Sequence, residues 1–249
     1  MARYNPCMSA TESTSTATRL TDQTLLIDAD DTLWENNIYF EEAIASFISD
    51  LDHKTHSPQK VREHLNRCER ATIAAQGYGI QSFRQSLVDC LEQLTESRIT
   101  PEQYSRILSF TAAISGKKIQ LLSGVVETLR LLRQRHRLIL VTKGDPREQT
   151  DKLERSGLQA FFSAVEIPAE KDAAAYRSIV QRHPCDPSAT WMIGNSPKSD
   201  INPALAAGLH AVFIPHACTW ILEHEEVDPP SGLTRLLKLD SFPELLAYF

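Results

Sequence analysis

Positive charge is in short supply in this sequence. Asp and Glu number 32 against 26 for Lys and Arg, a formal net charge of −6. That balance argues against a broad nucleic-acid-binding or anionic-membrane surface and leaves room only for a local basic pocket. Cysteines are few and unpaired. Cys7, Cys68, Cys90, Cys185 and Cys218 are scattered, odd in number and form no C-x-x-C pair. They read as reduced thiols of a cytoplasmic protein, mostly packing groups. The eight histidines show no H-x-x-x-H or H-x-H pairing, so packing and surface roles are expected rather than a transition-metal site. No apolar run is long enough to span a bilayer, and no signal-peptide-like segment follows Met1. What remains is 249 residues, 42% hydrophobic, enough for one large domain or a core carrying an inserted smaller one.

Residues 1–20 are rich in Ser, Thr and Ala and read as a disordered tail. Leu25-Leu26-Ile27 is then a buried strand that ends in three carboxylates, Asp28, Asp30 and Asp31. From Phe40 to Leu51 apolar residues recur at helical spacing. Ser57-Pro58 starts a second helix through Val61, Leu65 and Cys68, and Gly77-Tyr78-Gly79 breaks it. Phe83, Leu87, Leu91 and Leu94 mark a third. Thr100-Pro101-Glu102-Gln103 has the spacing of a capping box and opens a fourth, ended near Gly116. Residues 36–118 therefore read as a helical insert without strand signals.

Beyond it, strand and helix alternate. Strands are expected at Leu138–Val141, Ala164–Ile167, Thr190–Ile193, His210–Ile214 and from Leu236. Helices are expected over Leu122–Leu132, from Pro146 to Gly157, from Asp172 to Gln181, from Ile201 to Ala207 and over Phe242–Phe249. Such alternation implies an α/β fold, a parallel sheet covered by helices on both faces.

Ligands of open α/β sheets bind at the carboxyl ends of the strands. Four of those ends carry polar groups here. Asp28 and Asp30 leave the first strand on one side, and two close anions are tolerable with a cation between them or a proton on one. Thr142-Lys143-Gly144-Asp145 offers a hydroxyl and backbone N–H groups that could hold a phosphoryl oxygen. Lys171 lies at a helix start, where a cation is unfavourable with respect to the dipole. Gly194-Asn195-Ser196-Pro197-Lys198-Ser199-Asp200 offers oxygen ligands of the kind Mg²⁺ takes. Taken singly, each also suits an ordinary turn, helix cap or surface lysine. Their order and spacing as a set carry the signal.

The set resembles the haloacid dehalogenase (HAD) superfamily. Asp28-Ala29-Asp30-Asp31-Thr32-Leu33 is similar to its first motif, Asp-x-Asp-x-Thr. Thr142 resembles the second motif, Lys171 the third, and Gly194-Asn195-Ser196 through Asp200 the fourth. The insert resembles the family's helical cap. The resemblance implies a Rossmann-like core (residues 21–35 and 119–249) and a mostly helical cap (36–118). It implies a Mg²⁺-dependent phosphatase that hydrolyses a small phosphorylated metabolite. Asp28 would be the nucleophile and Asp30 the acid and base. Thr142, Lys171 and the N–H groups of Ala29, Asp30 and Lys143 would hold and balance the phosphoryl group. Asp28, the Asp30 carbonyl, Asn195 and Asp200 would hold Mg²⁺. Two positions depart from the pattern: Asp31 stands where the family usually has Gly, and Asn195 where it usually has Asp, which removes one negative charge from the metal site.

Two other readings compete. A carbon–halogen hydrolase of the same superfamily needs neither a metal nor an acid for the leaving halide, so Asp30 argues against it. A non-catalytic binding or regulatory member finds its support in Asn195. The expected partner is a small-molecule phosphate ester, with no nucleic acid and no membrane. No heptad or exposed stripe sets an oligomeric state.

Overall fold

The computed structural model describes residues 19–51 and 56–249. Most of the expected tail, and Cys7 with it, lies outside the described residues. Its last residue does not behave as tail: the Leu20 N–H donates to the Tyr248 carbonyl at 2.7 Å, and its side chain packs against the core.

Among the described residues, six strands form one parallel sheet in the order β3-β2-β1-β4-β5-β6. They are β1 (Thr24–Ile27), β2 (Arg137–Val141), β3 (Ala164–Glu166), β4 (Thr190–Gly194), β5 (His210–Phe213) and β6 (Leu236–Lys238). Side chains alternate between faces. Leu25 and Ile27 join Leu138, Leu140, Trp191 and Ile193 on one face, under helix α5 (Val125–Leu132) and α6 (Pro146–Ser156). Leu26 joins Ile139, Val141 and Met192 on the other, under α7 (Ala173–Arg182) and α8 (Asn202–Ala206). The α/β architecture is the one expected.

Four helices lie between β1 and β2: α1 (Asn37–Ser49), α2 (Pro58–Gln76), α3 (Ile80–Thr95) and α4 (Pro101–Gly116). They bury their own apolar cluster, with Phe47, Leu65, Leu87 and Ile107 nearly inaccessible to solvent. The expected caps form. Ser57 accepts from the Lys60 N–H beside Pro58, and Thr100 and Gln103 make the reciprocal capping box. The chain enters and leaves this insert side by side: the Glu35 N–H donates to the Gln120 carbonyl at 2.9 Å and the Leu122 N–H to the Leu33 carbonyl at 2.9 Å.

Two stretches differ from the expected helices. Residues Pro197–Ile201, before α8, make a single π-helical turn in which the Ile201 N–H reaches the Ser196 carbonyl at 3.1 Å. Such turns frequently mark functional sites. At the end of the chain, Phe242–Ala247 is a 3₁₀ helix rather than a longer α-helix reaching Phe249. Pro243 lies so close to Gly124 that a Cβ there would fall 2.6 Å from its ring.

Candidate active site

β1 is the switch point of the sheet: the chain leaves it for β2 and β3 on one side and for β4, β5 and β6 on the other. A crevice opens at the carboxyl ends of strands at such a point, and the sequence-marked groups gather there. Asp28 follows β1, and its N–H is tied to the Ile193 carbonyl of β4 at 2.9 Å. Thr142 follows β2, buried, with its N–H on the Glu166 carbonyl of β3. Lys171 comes from the loop after β3, and Asn195 follows β4.

Three buried charges meet in the centre. The Lys171 ammonium contacts Asp28 Oδ1 and, at 2.8 Å, Asp200 Oδ1. The π turn aims Asp200 inward, and its other oxygen accepts from the Ser196 N–H at 3.0 Å. Burial, followed by the negative charge of Asp200, holds the Asp28 carboxyl above the usual carboxylate range despite Lys171. Burial opposes the charge on Lys171, but Asp200 and Asp28 outweigh it, so the ammonium is retained more firmly than usual. Thr32 Oγ1 donates to Asp28 Oδ2 at 2.8 Å and lies 3.3 Å from Asn195 Oδ1. Asp28, Asn195 and Asp200 thus bring hard oxygen donors together around a buried pair of like charges.

Ala29 is fully buried, and its carbonyl accepts from the Leu33 N–H at 2.8 Å, closing a tight loop. Asp31 takes a φ of +60° in that loop. This left-handed conformation is most easily supplied by Gly, and here Asp31 repays it by accepting from the N–H groups of Asn36 and Asn37 at the start of α1.

Asp30 turns toward α6. Both of its oxygens lie 2.6 Å from Lys152 Nζ; Gln149 Nε2 donates to it at 2.9 Å and Trp34 Nε1 at 2.7 Å. Burial would raise its pKa, but Lys152 and these donors overcome it and hold the carboxyl below the ordinary range. The Lys143 side chain has a role apart from the one expected of its backbone N–H. Its ammonium bonds Ser199 Oγ and Glu223 Oε1, each at 2.7 Å, and stands 4.6 Å over the Tyr78 ring.

A cavity of about 170 Å³ joins these groups to the helical insert. The insert's share of its wall includes Phe40, Glu69, Ile73, Tyr78, Ser82 and Phe83. The insert is docked there by Glu148 of α6, which accepts from the Ile80 N–H at the start of α3. All the sequence-predicted residues, except the small buried Ala29, line this cavity.

Sequence reasoning missed Lys152, Gln149, Glu148 and Glu223. The first two lie three apart on an expected helix and therefore share a face, but no sequence signal says that this face meets Asp30. Glu223 follows a stretch without strand or helix pattern and carried none. Arg84 of α3 bonds Thr111 Oγ1 at 2.9 Å within the insert. A separate group, Asp31, Glu35 and His216, places its ligand-type atoms within 4.8 Å of one another, and it contains none of the expected metal ligands. Among the described residues, no helix is long and apolar enough to cross a membrane.

A family model for haloacid dehalogenase-like hydrolases matches residues 23–208. Over 85 residues the chain is 34% identical to N-acylneuraminate-9-phosphatase of Mus musculus, a stretch that covers 32% of this chain and 34% of that protein. The match thus spans about a third of the curated relative's length. A haloacid dehalogenase-like hydrolase from Xanthomonas campestris has the same fold with a TM-score of 0.76 and 28% identity, covering 90% of this chain and 92% of its own. A HAD-hydrolase of Bacillus subtilis bound to magnesium (TM-score 0.62, 19% identity, 91% and 97% covered) and the L-2-haloacid dehalogenase of Xanthobacter autotrophicus (TM-score 0.61, 13% identity, 90% and 96% covered) share the fold. The motif groups stand at the strand ends where such a fold puts its chemistry, and the family model spans most of the sequence: the chain belongs to the haloacid dehalogenase-like hydrolases.

Proposed function

We propose that this protein is a Mg²⁺-dependent phosphatase that hydrolyses a small phosphorylated metabolite through an aspartyl-phosphate on Asp28. In this reading residues 21–35 and 119–249 are the catalytic core and residues 36–118 a cap over it. The observation that carries it is the second carboxylate, Asp30, which lines the same cavity as Asp28. A dehalogenase has no proton to supply to a leaving halide, whereas an alkoxide leaving group needs one. The phosphatase relative matches over only part of the chain and adds modest support. The free thiols of Cys68, Cys90, Cys185 and Cys218 suit the cytoplasmic location that belongs to the same proposal.

The donor set suits magnesium. Asp28, Asp200 and Asn195 offer oxygen, and the mutual repulsion of Asp28 and Asp200 is what a cation would relieve. Asp28, Asp200, Asn195 and the Asp30 carbonyl would hold the ion, which when bound would screen the anionic nucleophile from the anionic substrate.

The chain's own groups do the rest. Thr32 and Lys171 fix the Asp28 carboxylate, one on each oxygen. An Asp28 oxygen forms a bond to phosphorus while the bond to the leaving oxygen breaks, and that oxygen takes its proton from the Asp30 carboxyl. Thr142, Lys171 and the N–H groups of Ala29, Asp30 and Lys143 hold the phosphoryl oxygens. Asp30 then takes a proton from the water that releases phosphate. Asp30 is held ionised by Lys152 here, which suits that second, basic step; acting first as an acid requires the Lys152 contact to loosen.

The test is inorganic phosphate release from a panel of phosphate monoesters, with wild type and Asp28→Asn each assayed with Mg²⁺ and with chelator. Activity confined to wild type with Mg²⁺ is expected. Metal-independent halide release from a haloacid, or turnover by Asp28→Ala, would overturn the proposal.

A further inference from the structure

The helical insert contributes one carboxylate to the cavity lining, Glu69 on α2, and among the described residues it contributes no lysine or arginine there. Glu69 is only 5% exposed, and its Oε2 is buried with no hydrogen-bond partner. A buried acceptor left unsatisfied costs free energy that a suitable ligand donor recovers. The neighbouring cation Arg62 does not satisfy it, because both oxygens of Glu41 already hold Arg62 at 2.7 Å. Gln149 Oε1, on the core side of the same cavity, is likewise a buried acceptor without a partner. The cavity's cations are engaged. Lys143 is on Glu223, Lys152 on Asp30, and Lys171 on Asp28 and Asp200.

The insert's side of the cavity therefore presents one unsatisfied acceptor, on Glu69, and apolar rings, Phe40 and Phe83 packing edge to face with centroids 5.0 Å apart. A second phosphate or a carboxylate on the substrate would meet Glu69 and Glu148 with no free cation to balance it. A hydroxyl or an ammonium would meet an acceptor that lacks a partner. We infer that Glu69 is a specificity residue that receives a hydrogen-bond donor from the leaving group, so that the substrate is the phosphate ester of a polyol or an amino alcohol carrying no second anionic group. This deepens the phosphatase reading and rests on it. It also separates this chain's substrate class from an acylneuraminate, which is itself an anion.

The experiment compares kcat and KM for glycerol phosphate, phosphoethanolamine, phosphoglycolate and a hexose bisphosphate, with p-nitrophenyl phosphate as the ester without a donor. Wild type, Glu69→Leu and Glu69→Gln are measured side by side near pH 8, where Glu69 is ionised. The two donor-bearing esters should exceed the two anionic ones in kcat/KM. In Glu69→Leu their advantage over p-nitrophenyl phosphate should fall roughly tenfold or more, through KM. Glu69→Gln keeps an acceptor oxygen but not the charge. Recovery in that variant identifies a hydroxyl as the recognised group, and continued loss identifies an ammonium. If p-nitrophenyl phosphate is hydrolysed but the anionic esters are preferred, or Glu69→Leu leaves the ratio unchanged, the subsite is overturned while the phosphatase reading stands. If no ester releases phosphate, the phosphatase reading fails and takes the subsite with it.

Discussion

Lys152 Nζ stands 2.6 Å from both carboxylate oxygens of Asp30, across 122 residues of sequence. The contact is only partly exposed, with side-chain accessibilities of 19% and 20%, so it is screened less than a surface pair. It keeps Asp30 a carboxylate. Replacing Lys152 with Met removes the charge and retains much of the side chain's bulk. The Asp30 pKa then rises, and the limb of the kcat–pH profile that reports Asp30 should move to higher pH. A profile that does not move would mean that Gln149 and Trp34 suffice to set its ionisation.

Asn195 reaches the same hydroxyl as Asp28: Thr32 Oγ1 lies 3.3 Å from Asn195 Oδ1 and 2.8 Å from Asp28 Oδ2. Asn195→Asp puts a third carboxylate beside Asp28 and Asp200. Without metal, that charge should lower the melting temperature. With metal, it should strengthen Mg²⁺ binding by roughly tenfold, since cation affinity follows ligand charge. Calorimetric titration with Mg²⁺ reads the second effect and a thermal melt in chelator the first. Unchanged Mg²⁺ affinity would take Asn195 out of the ligand set.

Much of this arrangement was legible before the fold was known. The strand ends were legible because a continuous apolar run stops abruptly at polar residues, a local signal. The third carboxylate of the first loop shows what such a signal leaves out. Asp31 looked like a departure from a glycine, yet its positive φ is supported by hydrogen bonds to two N–H groups of α1, and no pattern in the sequence announces a hydrogen bond of that kind. The partners of Asp30 and Lys143 were hidden for a related reason. Lys152 and Glu223 are ordinary helix and loop residues until tertiary packing brings them to the site. The segment Pro197–Ile201 reads in the sequence as part of a ligand-bearing loop or helix cap ahead of a helix from Ile201, and no spacing of apolar residues announces that it winds as a π turn.

Glu69 couples the cavity to stability. Burial first, with Glu41 adding to it against Arg62, pushes its carboxyl from 4.5 up to about 7. In the unfolded chain it titrates near 4.5. Between these values the folded form holds the proton and the unfolded form has released it, so stability falls as pH rises through that window and levels off above it. Glu69→Gln does not titrate. Its stability advantage over wild type should be small at pH near 4 and grow to roughly 2–3 kcal/mol at pH near 8. Chemical denaturation of both proteins across that range reads the difference. Parallel curves would mean that Glu69 is solvated in the free protein.

Gly194 ends β4 against the one carboxylate that faces both Lys171 and the π turn. A Cβ at this position would fall 2.2 Å from Asp200 Oδ2, 2.4 Å from its Cγ and 2.8 Å from its Cβ. Asp200 is 1% exposed and fixed at both oxygens, by Lys171 and by the Ser196 N–H, so it cannot swing aside without leaving a buried ammonium short of a partner. The φ of Gly194 is not in the left-handed region, so the requirement for glycine here is space rather than backbone freedom. Gly194→Ala should therefore cost about 1–3 kcal/mol of stability by overpacking. It should also weaken Mg²⁺ binding, because the displaced group belongs to the proposed ligand set. Gly116, at the end of α4, has nothing within 4 Å of its would-be Cβ and serves as the control. Gly116→Ala should leave both quantities nearly unchanged. If Gly194→Ala melts with wild type, the sheet end has room to shift, and the packing of Asp200 against it is not what aims that carboxylate into the site.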